Sequence, residues 1–348
     1  MKLYKLKIIL LLFGVVLFSS CTQLLYTSLD VLRPAKVEFN VDANNLLIVN
    51  NSVVQPVNYG HITTMMDGKS QILNVNSDSL AIFCLTALGE ELENKGFFAS
   101  VQLLPKTVNK TSEFLTPTIL SMDTVNKLCK RNRSNIILSL DRIKVNDDQD
   151  EFLITDNFSF LNSLEAKYET IWSIHYPNKP QSQTVTYKDT LYWESESIDR
   201  KKALNDMPKR EDALIDGALE VGRKCVGRFI PNWDKVDRFF ILSNDKTLKQ
   251  GMDSVYVKNW KSAIDIWISL YESTKKTHVQ AEAANNLAIA YEISGDIDKA
   301  LDFATKSYYC FGKLTFPDYQ SFIRVSDYIN ELNQRKKEIE ILKKQLGE

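Results

Sequence analysis

The side chains able to do chemistry are few, and their spacing argues against a reaction centre. The chain has three histidines, His61, His175 and His278, in 348 residues. None has a neighbour at the short spacing of a zinc ligand set. The stretch GALEVGRKC from Gly217 approaches a phosphate-binding loop, but Arg223 intrudes, Cys225 replaces the final Ser or Thr, and the stretch falls inside a helical pattern. The acidic run NDDQDE, 146–151, could attract a cation. It lacks the glycine and distal glutamate of a calcium loop, so it reads as a solvated turn. His175 reads as an exposed position on a hairpin. No GxSxG elbow and no GxGxxG loop occurs. No catalytic residue, metal ligand or cofactor is expected, and the expected class is a non-enzymatic protein.

Four of the five cysteines, Cys84, Cys129, Cys225 and Cys310, are far apart and form no CxxC pair. They read as small buried hydrophobes, with disulfide pairing left open. Cys21 differs from them. Lys2, Lys5 and Lys7 precede an apolar run from Ile8 to Phe18, and Ser19 and Ser20 stand directly before the cysteine. A membrane-spanning helix needs about 20 apolar residues, so this run is too short to span. A basic flank, a short apolar core and small residues at a cleavage point describe a secretory signal.

The cysteine following those serines resembles the lipobox of bacterial lipoproteins, with Phe18 where leucine is usual, a looseness similar to Bacteroidetes examples. The resemblance implies cleavage before Cys21 and lipid on its sulfur and amine. Two or more acyl chains anchor stably, at about 0.8 kcal/mol per buried methylene. Loss of the first 20 of 348 residues would leave 328, and loss of three lysines with no acid would take the formal charge from −1 to −4. That balance argues against nucleic acid as a partner. Thr22, not aspartate, follows the cysteine, and TQLLYT carries no acidic tract. The expected place is the outer membrane, facing the periplasm, with cell-surface display as the alternative.

The elements behind these residues alternate at first. LLIVNNSVV, 46–54, reads as a buried strand. Leu80, Phe83, Cys84, Ala87, Leu88 and Leu92 fall on one helical face, with Ser77 before them and Gly96 after. Phe97 to Leu103 has strand alternation, a helix is predicted after Ser121, and Ile136 to Val145 is a further strand. Residues 165–176 and 184–195 read as an antiparallel hairpin rich in aromatic side chains, turning at PNKP. Its aromatic face is expected to be core; the alternative is a ligand pocket around Trp172 and Trp193. A helical pattern covers 199–230, and Pro231 ends the domain. LRPAKVEF, LLIVNNS and GRFIPNWDKVDRFF resemble a family of uncharacterised Bacteroidetes lipoproteins that join an N-terminal αβ domain to a tetratricopeptide-like region. Many of its members have arginine where this chain has Asn51. In layout alone, the strand–helix–strand start is similar to the αβ domains of curli secretion channel lipoproteins.

In the last third, NWKSAIDIWISLYES from Asn259 superposes on GDIDKALDFATKSYY from Gly295, with Ala263 and Ala300 separated by 37 residues. A tetratricopeptide repeat is about 34 residues long. NNLAIAYEISGDIDKAL resembles that family closely through Leu287, Ala288, Tyr291, Gly295 and Ala300. The preceding repeat departs, with Gly251 at the small position and Lys258 where the turn glycine belongs. Such arrays present a concave groove, and register puts Leu248, Met252, Tyr256, Glu282, Asn285, Ile289 and Glu292 on it, with Asn285 and Glu292 exposed. Leu248 and Met252 are apolar, so a clamp for a partner's terminal carboxylate is not carried over. The groove suits a helix or peptide with apolar and basic residues.

The expected architecture is α+β. A signal, 1–20, precedes a tether and entry segment, 21–44. A mixed αβ sandwich with the aromatic hairpin spans 45–231. A junction, 232–244, leads into an all-α tetratricopeptide-like domain, 245–348. The expected role is an adaptor or scaffold at the cell envelope. Its partners would be the membrane, through lipid at Cys21, and an unidentified envelope protein or peptide. The alternative is a ligand-binding or enzymatic αβ domain with the repeats as a buttress.

Overall fold

The apolar run at 46–49 forms the centre of the sheet in this computed structural model, which describes residues 23–39, 43–109, 113–315 and 318–347. Cys21 and the segment before it lie outside the described residues. The chain divides into two units, one of residues 35–232 and one combining 233–348 with the stretch ending at Pro34. The protein is mixed α+β, with a sheet region first and a helical region last.

In the αβ unit, β2 (Asn45–Asn50) lies parallel to β5 (Ser100–Leu104) on one side and to the start of β6 (Ile136–Ile154) on the other. Further along β6, β3 (His61–Thr64) pairs parallel and carries β4 (Ser70–Ile72) antiparallel to it. The other edge of β6 pairs antiparallel with β7 (Ser159–His175), and β7 with β8 (Gln183–Ser197). Leu46 and Ile48 point to one face and Leu47 and Val49 to the other, as strand geometry requires, and all four are buried. The first pair joins the main core with α1 (Leu80–Lys95) and α4 (Arg210–Cys225), which also holds Tyr168, Trp172 and Phe229. The second pair packs with Val125 and Cys129 of α2 (Met122–Asn132). The α1–α4 approach is close: a Cβ on Gly222 would stand 2.3 Å from the Cys84 carbonyl oxygen.

Several expectations are corrected here. β6 does not stop at Val145 but runs to Ile154, so the acidic run 146–151 is strand, not a solvated turn, and Asp147 is buried. The cause is its antiparallel pairing with β7 along that whole stretch. His175 is also buried, because it ends β7 opposite Ile137 in the middle of the sheet. The helical pattern after Asp199 breaks into α3 (Arg200–Asn205) and α4. Pro208 accounts for the break, since the residue before a proline is driven from helical geometry.

In the helical unit, β1 (Gln23–Arg33) and β9 (Asn232–Leu242) form a two-stranded sheet. Residues expected as tether and as junction are therefore strands. Ser28 bonds Asp237 and Arg33 bonds Asp234, so one strand ascends as the other descends. Five helices follow: α5 (Lys246–Tyr256), α6 (Trp260–Ser273), α7 (Thr277–Ile293), α8 (Ile297–Gly312) and α9 (Tyr319–Leu346). The 37-residue offset has physical counterparts. Asn259 and Asp296 cap α6 and α8 by accepting from Ser262 and Lys299 amides. Gly251 and Ala288 are small because helices cross there; a Cβ on Gly251 would stand 2.0 Å from Trp267 Nε1. Gly295 has φ +86°, and Lys258, its counterpart, is forced to φ +56°. No helix among the described residues is long and apolar enough to cross a membrane.

Candidate functional site

The seven expected groove residues separate into two groups. Leu248, Met252, Asn285, Ile289 and Glu292 are buried, while Glu282 is half-buried and Tyr256 is 61% exposed. The expected exposure of Asn285 and Glu292 is thus corrected, and the cause is β9, which bonds to α7 there. Asn286 donates to the Ile241 carbonyl at 3.0 Å and accepts from its amide at 2.8 Å, while Asn285 donates to the Phe239 carbonyl at 3.2 Å. An asparagine amide mimics the edge of a neighbouring strand, so α7 holds β9 by its backbone. Phe240 fills the space between Trp260 and Trp267, with ring centroids at 6.4 and 5.9 Å.

Arg238 locks the arrangement. Its guanidinium donates twice to Glu292, at 2.7 and 2.9 Å, and once to Glu331 at 2.7 Å. Tyr328 donates to the same Glu292 carboxylate at 2.7 Å, and Arg238 lies 5.1 Å from the Tyr328 ring centre. Burial works against the Arg238 charge, but Glu292 more than offsets it and holds the pKa up. Burial, reinforced by Glu292, pushes the Tyr328 hydroxyl well above its ordinary value.

Beyond Leu242 the strand ends. A cavity of about 600 Å³ remains there, lined by Gln23, Leu242, Ser243, Asn244, Lys249, Met252, Asp253, Tyr256, His278 and Glu282. The structure thus brings Met252, Tyr256 and Glu282 together, bonds Asn285 and Glu292 to β9, and buries Leu248 and Ile289 in the helical core. Glu282 is the unusual member. Its Oε2 is buried without a hydrogen-bond partner. Burial raises its pKa against the opposing effect of Ser243. A carboxylate oxygen shielded from water and left unpaired is costly. Lys249, His278, Ser243 and Gln23 were missed by sequence reasoning because they come from α5, α7, the segment after β9, and β1, which only the fold brings together.

The αβ unit holds two buried polar clusters that close on themselves. His61 pairs with Asp147, which accepts from Arg210 at 2.6 Å; Arg210 also donates to the Ile62 carbonyl at 3.0 Å. The second surrounds Asp141, at the bulge in β6, which accepts from Asn51 and Ser139, each at 2.7 Å, and from Ser173 at 2.5 Å. Ser139 Oγ lies 3.0 Å from His175 Nε2. The order is not that of a hydrolytic triad, because the carboxylate binds the serine rather than orienting the histidine. Burial drives His175 down to about 4, so it is neutral. Of the two residues expected around the alternative pocket, Trp172 lies in the core and Trp193 packs half-buried against it, and Cys84, Cys129, Cys225 and Cys310 are free and buried. Burial pushes the Cys84 thiol up to about 12, far from thiolate chemistry. Among the described residues no group of three His, Cys, Asp or Glu could hold a metal ion.

No curated protein matches the chain. One solved structure, titled "Crystal structure of uncharacterized protein", aligns with 55% of this chain and 97% of its own at 10% identity and a TM-score of 0.24, too low to carry an argument. A family described as "Domain of unknown function (DUF6340)" matches residues 249–334. A second, described as "Domain of unknown function (DUF8603)", matches residues 43–240, more than half of the chain and nearly all of the αβ unit. The chain therefore belongs to the family described as Domain of unknown function (DUF8603).

Proposed function

We propose that this protein is a lipid-anchored adaptor of the bacterial envelope, without enzymatic activity, that binds a peptide segment of a partner at the open end of its helical groove. The helical unit is read as a short tetratricopeptide-like array whose groove is filled in part by the protein's own β9. The carrying observation is the cavity of about 600 Å³ that Glu282 lines together with Tyr256 and Met252. Tyr256 and Met252 offer apolar contact and Glu282 an acceptor, so the occupant is a peptide that presents a basic side chain beside apolar ones. Peptides that dock on preformed surfaces gain affinity from such anchors with little reorganisation of the receptor.

The anchor sets the direction of approach. Gln23, which lines the cavity, opens β1, and only Thr22 separates it from Cys21. At about 3.5 Å per extended residue, lipid on Cys21 would hold the cavity within about 7 Å of the membrane surface. The partner is then a membrane-associated protein or one that reaches the bilayer, and the outer membrane, facing the periplasm, is the proposed location. Labelling with an alkyne fatty acid should mark the wild type and not Cys21→Ala. Capture from detergent-solubilised envelopes should recover a partner with wild type and lose it with Tyr256→Ala at an unchanged melting temperature. An equal set of captured proteins from both would remove the cavity as the binding site.

A further inference from the structure

Strand β8 is a free edge of unusual length. Its residues 183–197 hydrogen-bond to β7 without a register break, and among the described residues it pairs with no other strand. QTVTYKDTLYWESES contains no proline or glycine, and the strand spans about 50 Å. Natural proteins blunt such edges with prolines, bulges, short strands or charged side chains; β8 has only the last of these, and an unpaired edge is a template for another strand. The even-numbered side chains Thr184, Thr186, Lys188, Tyr192, Glu194 and Glu196 face outward, while Tyr187 is buried on the core side. Asp189, on that core side, is balanced by Lys224 at 3.2 Å, so it leaves no unpaired charge to repel a neighbour.

We infer that β8 is the interface of a two-fold symmetric dimer, in which the β8 strands of two copies of this chain pair antiparallel and continue one sheet across both. Symmetry and side-chain alternation select the register. Faces match only when the two-fold axis passes through a residue, because a one-residue slip sends every side chain to the wrong face. An axis at Lys188 would set the two Lys188 side chains against each other, and axes at Asp189 or Thr190 set Lys188 against Thr190 or Tyr192. An axis at Leu191 sets Lys188 of each copy opposite Glu194 of the other and overlaps residues 185–197. It is the register of longest overlap that pairs the lysine with an acid, and symmetry makes the pair twice. Both groups are available. Lys188, 70% exposed, pairs with Glu169 at 2.9 Å, and Glu169 also has Arg142 and Lys144 within ion-pair distance, so it would keep two cations if Lys188 turned to Glu194. Glu194 is exposed and, among the described residues, has no ion-pair partner.

Sedimentation equilibrium of the full-length, detergent-solubilised protein tests the inference together with charge exchange. Wild type should show a monomer–dimer equilibrium. Lys188→Glu and Glu194→Lys should each raise the dimer dissociation constant by about tenfold or more, since each creates two like-charge pairs directly opposite one another. Combining the two changes restores opposite charges and should return the constant to near the wild-type value, which a folding defect would not do. A monomeric wild type overturns the inference, as does a dimer indifferent to both single changes. A double variant no tighter than the singles overturns the register.

Discussion

Replacing Glu292 by alanine tests the locked part of the groove, and the magnitude follows from its surroundings. Were Glu292 the exposed groove residue that register suggests, the change would cost within about 0.5 kcal/mol. In the fold its side chain is 2% exposed and holds both Arg238, 4% exposed, and the Tyr328 hydroxyl. Removing it leaves a buried guanidinium with Glu331 alone, a carboxylate that is 54% exposed. Breaking a buried pair from one side costs about 3–5 kcal/mol. The lost acceptor for Tyr328 adds about 1 kcal/mol. Glu292→Ala should therefore destabilise the helical unit by about 4–6 kcal/mol. Arg238→Met combined with Glu292→Leu removes both charges and should cost far less than the sum of the single changes, a coupling of about 3 kcal/mol. The assay is urea unfolding at constant m, with hydrogen exchange of α7 amides assigning the loss to this unit. A cost for Glu292→Ala below about 1 kcal/mol, or additive single changes, would refute the reasoning.

Three further outcomes follow. Lys258 adopts the left-handed conformation that Gly295 adopts one repeat later, so Lys258→Gly should stabilise the protein by about 1 kcal/mol, read as a raised melting temperature. Gly251→Ala should do the opposite despite alanine's better helix propensity, because the added methyl meets the buried Trp267 ring; overpacking of this kind costs about 1–3 kcal/mol in the same melting assay. His175 is buried neutral with its pKa lowered from 6.5 to about 4, so the unfolded state binds the extra proton between those values. Stability of the αβ unit should be full above pH 6.5 and fall by about 3 kcal/mol as pH drops to 4. Asp141, whose burial raises its pKa, acts in the opposite sense at the acid end. His175→Asn should flatten the slope between pH 6.5 and 4 in denaturation series, and an unchanged slope would show that His175 is not its source.

The legible parts of the fold were those written in local pattern. Leu46–Val49, the 80–92 face of α1 and the turn at Gly295 all state their structure within a dozen residues. What escaped was polar side chains whose partners are far away in sequence. Glu292 and Asn285 read as exposed because helix register gives the face a residue points to and not what covers it. The cover, β9, lies about fifty residues earlier in a stretch taken for a junction, though FFIL at 239–242 carries a strand signal. Asp147 and His175 misled in the same way, since an acidic or imidazole group is buried only once the fold supplies Arg210 or Ser139. The candidate cavity was half legible: Met252, Tyr256 and Glu282 followed from register, while Gln23 and His278 required the fold.

The central claim is that Glu282 in the open end of the groove receives a basic, partly apolar peptide segment. The direct measurement is calorimetric titration of the protein with paired synthetic peptides that differ only in one lysine replaced by norleucine, run with wild type and Glu282→Gln. The account predicts that the lysine peptides bind wild type more tightly, that Glu282→Gln removes this preference while keeping its melting temperature, and that the preference fades as acid protonates Glu282. Equal binding of lysine and norleucine peptides by wild type, or a lysine preference that survives Glu282→Gln, would contradict it.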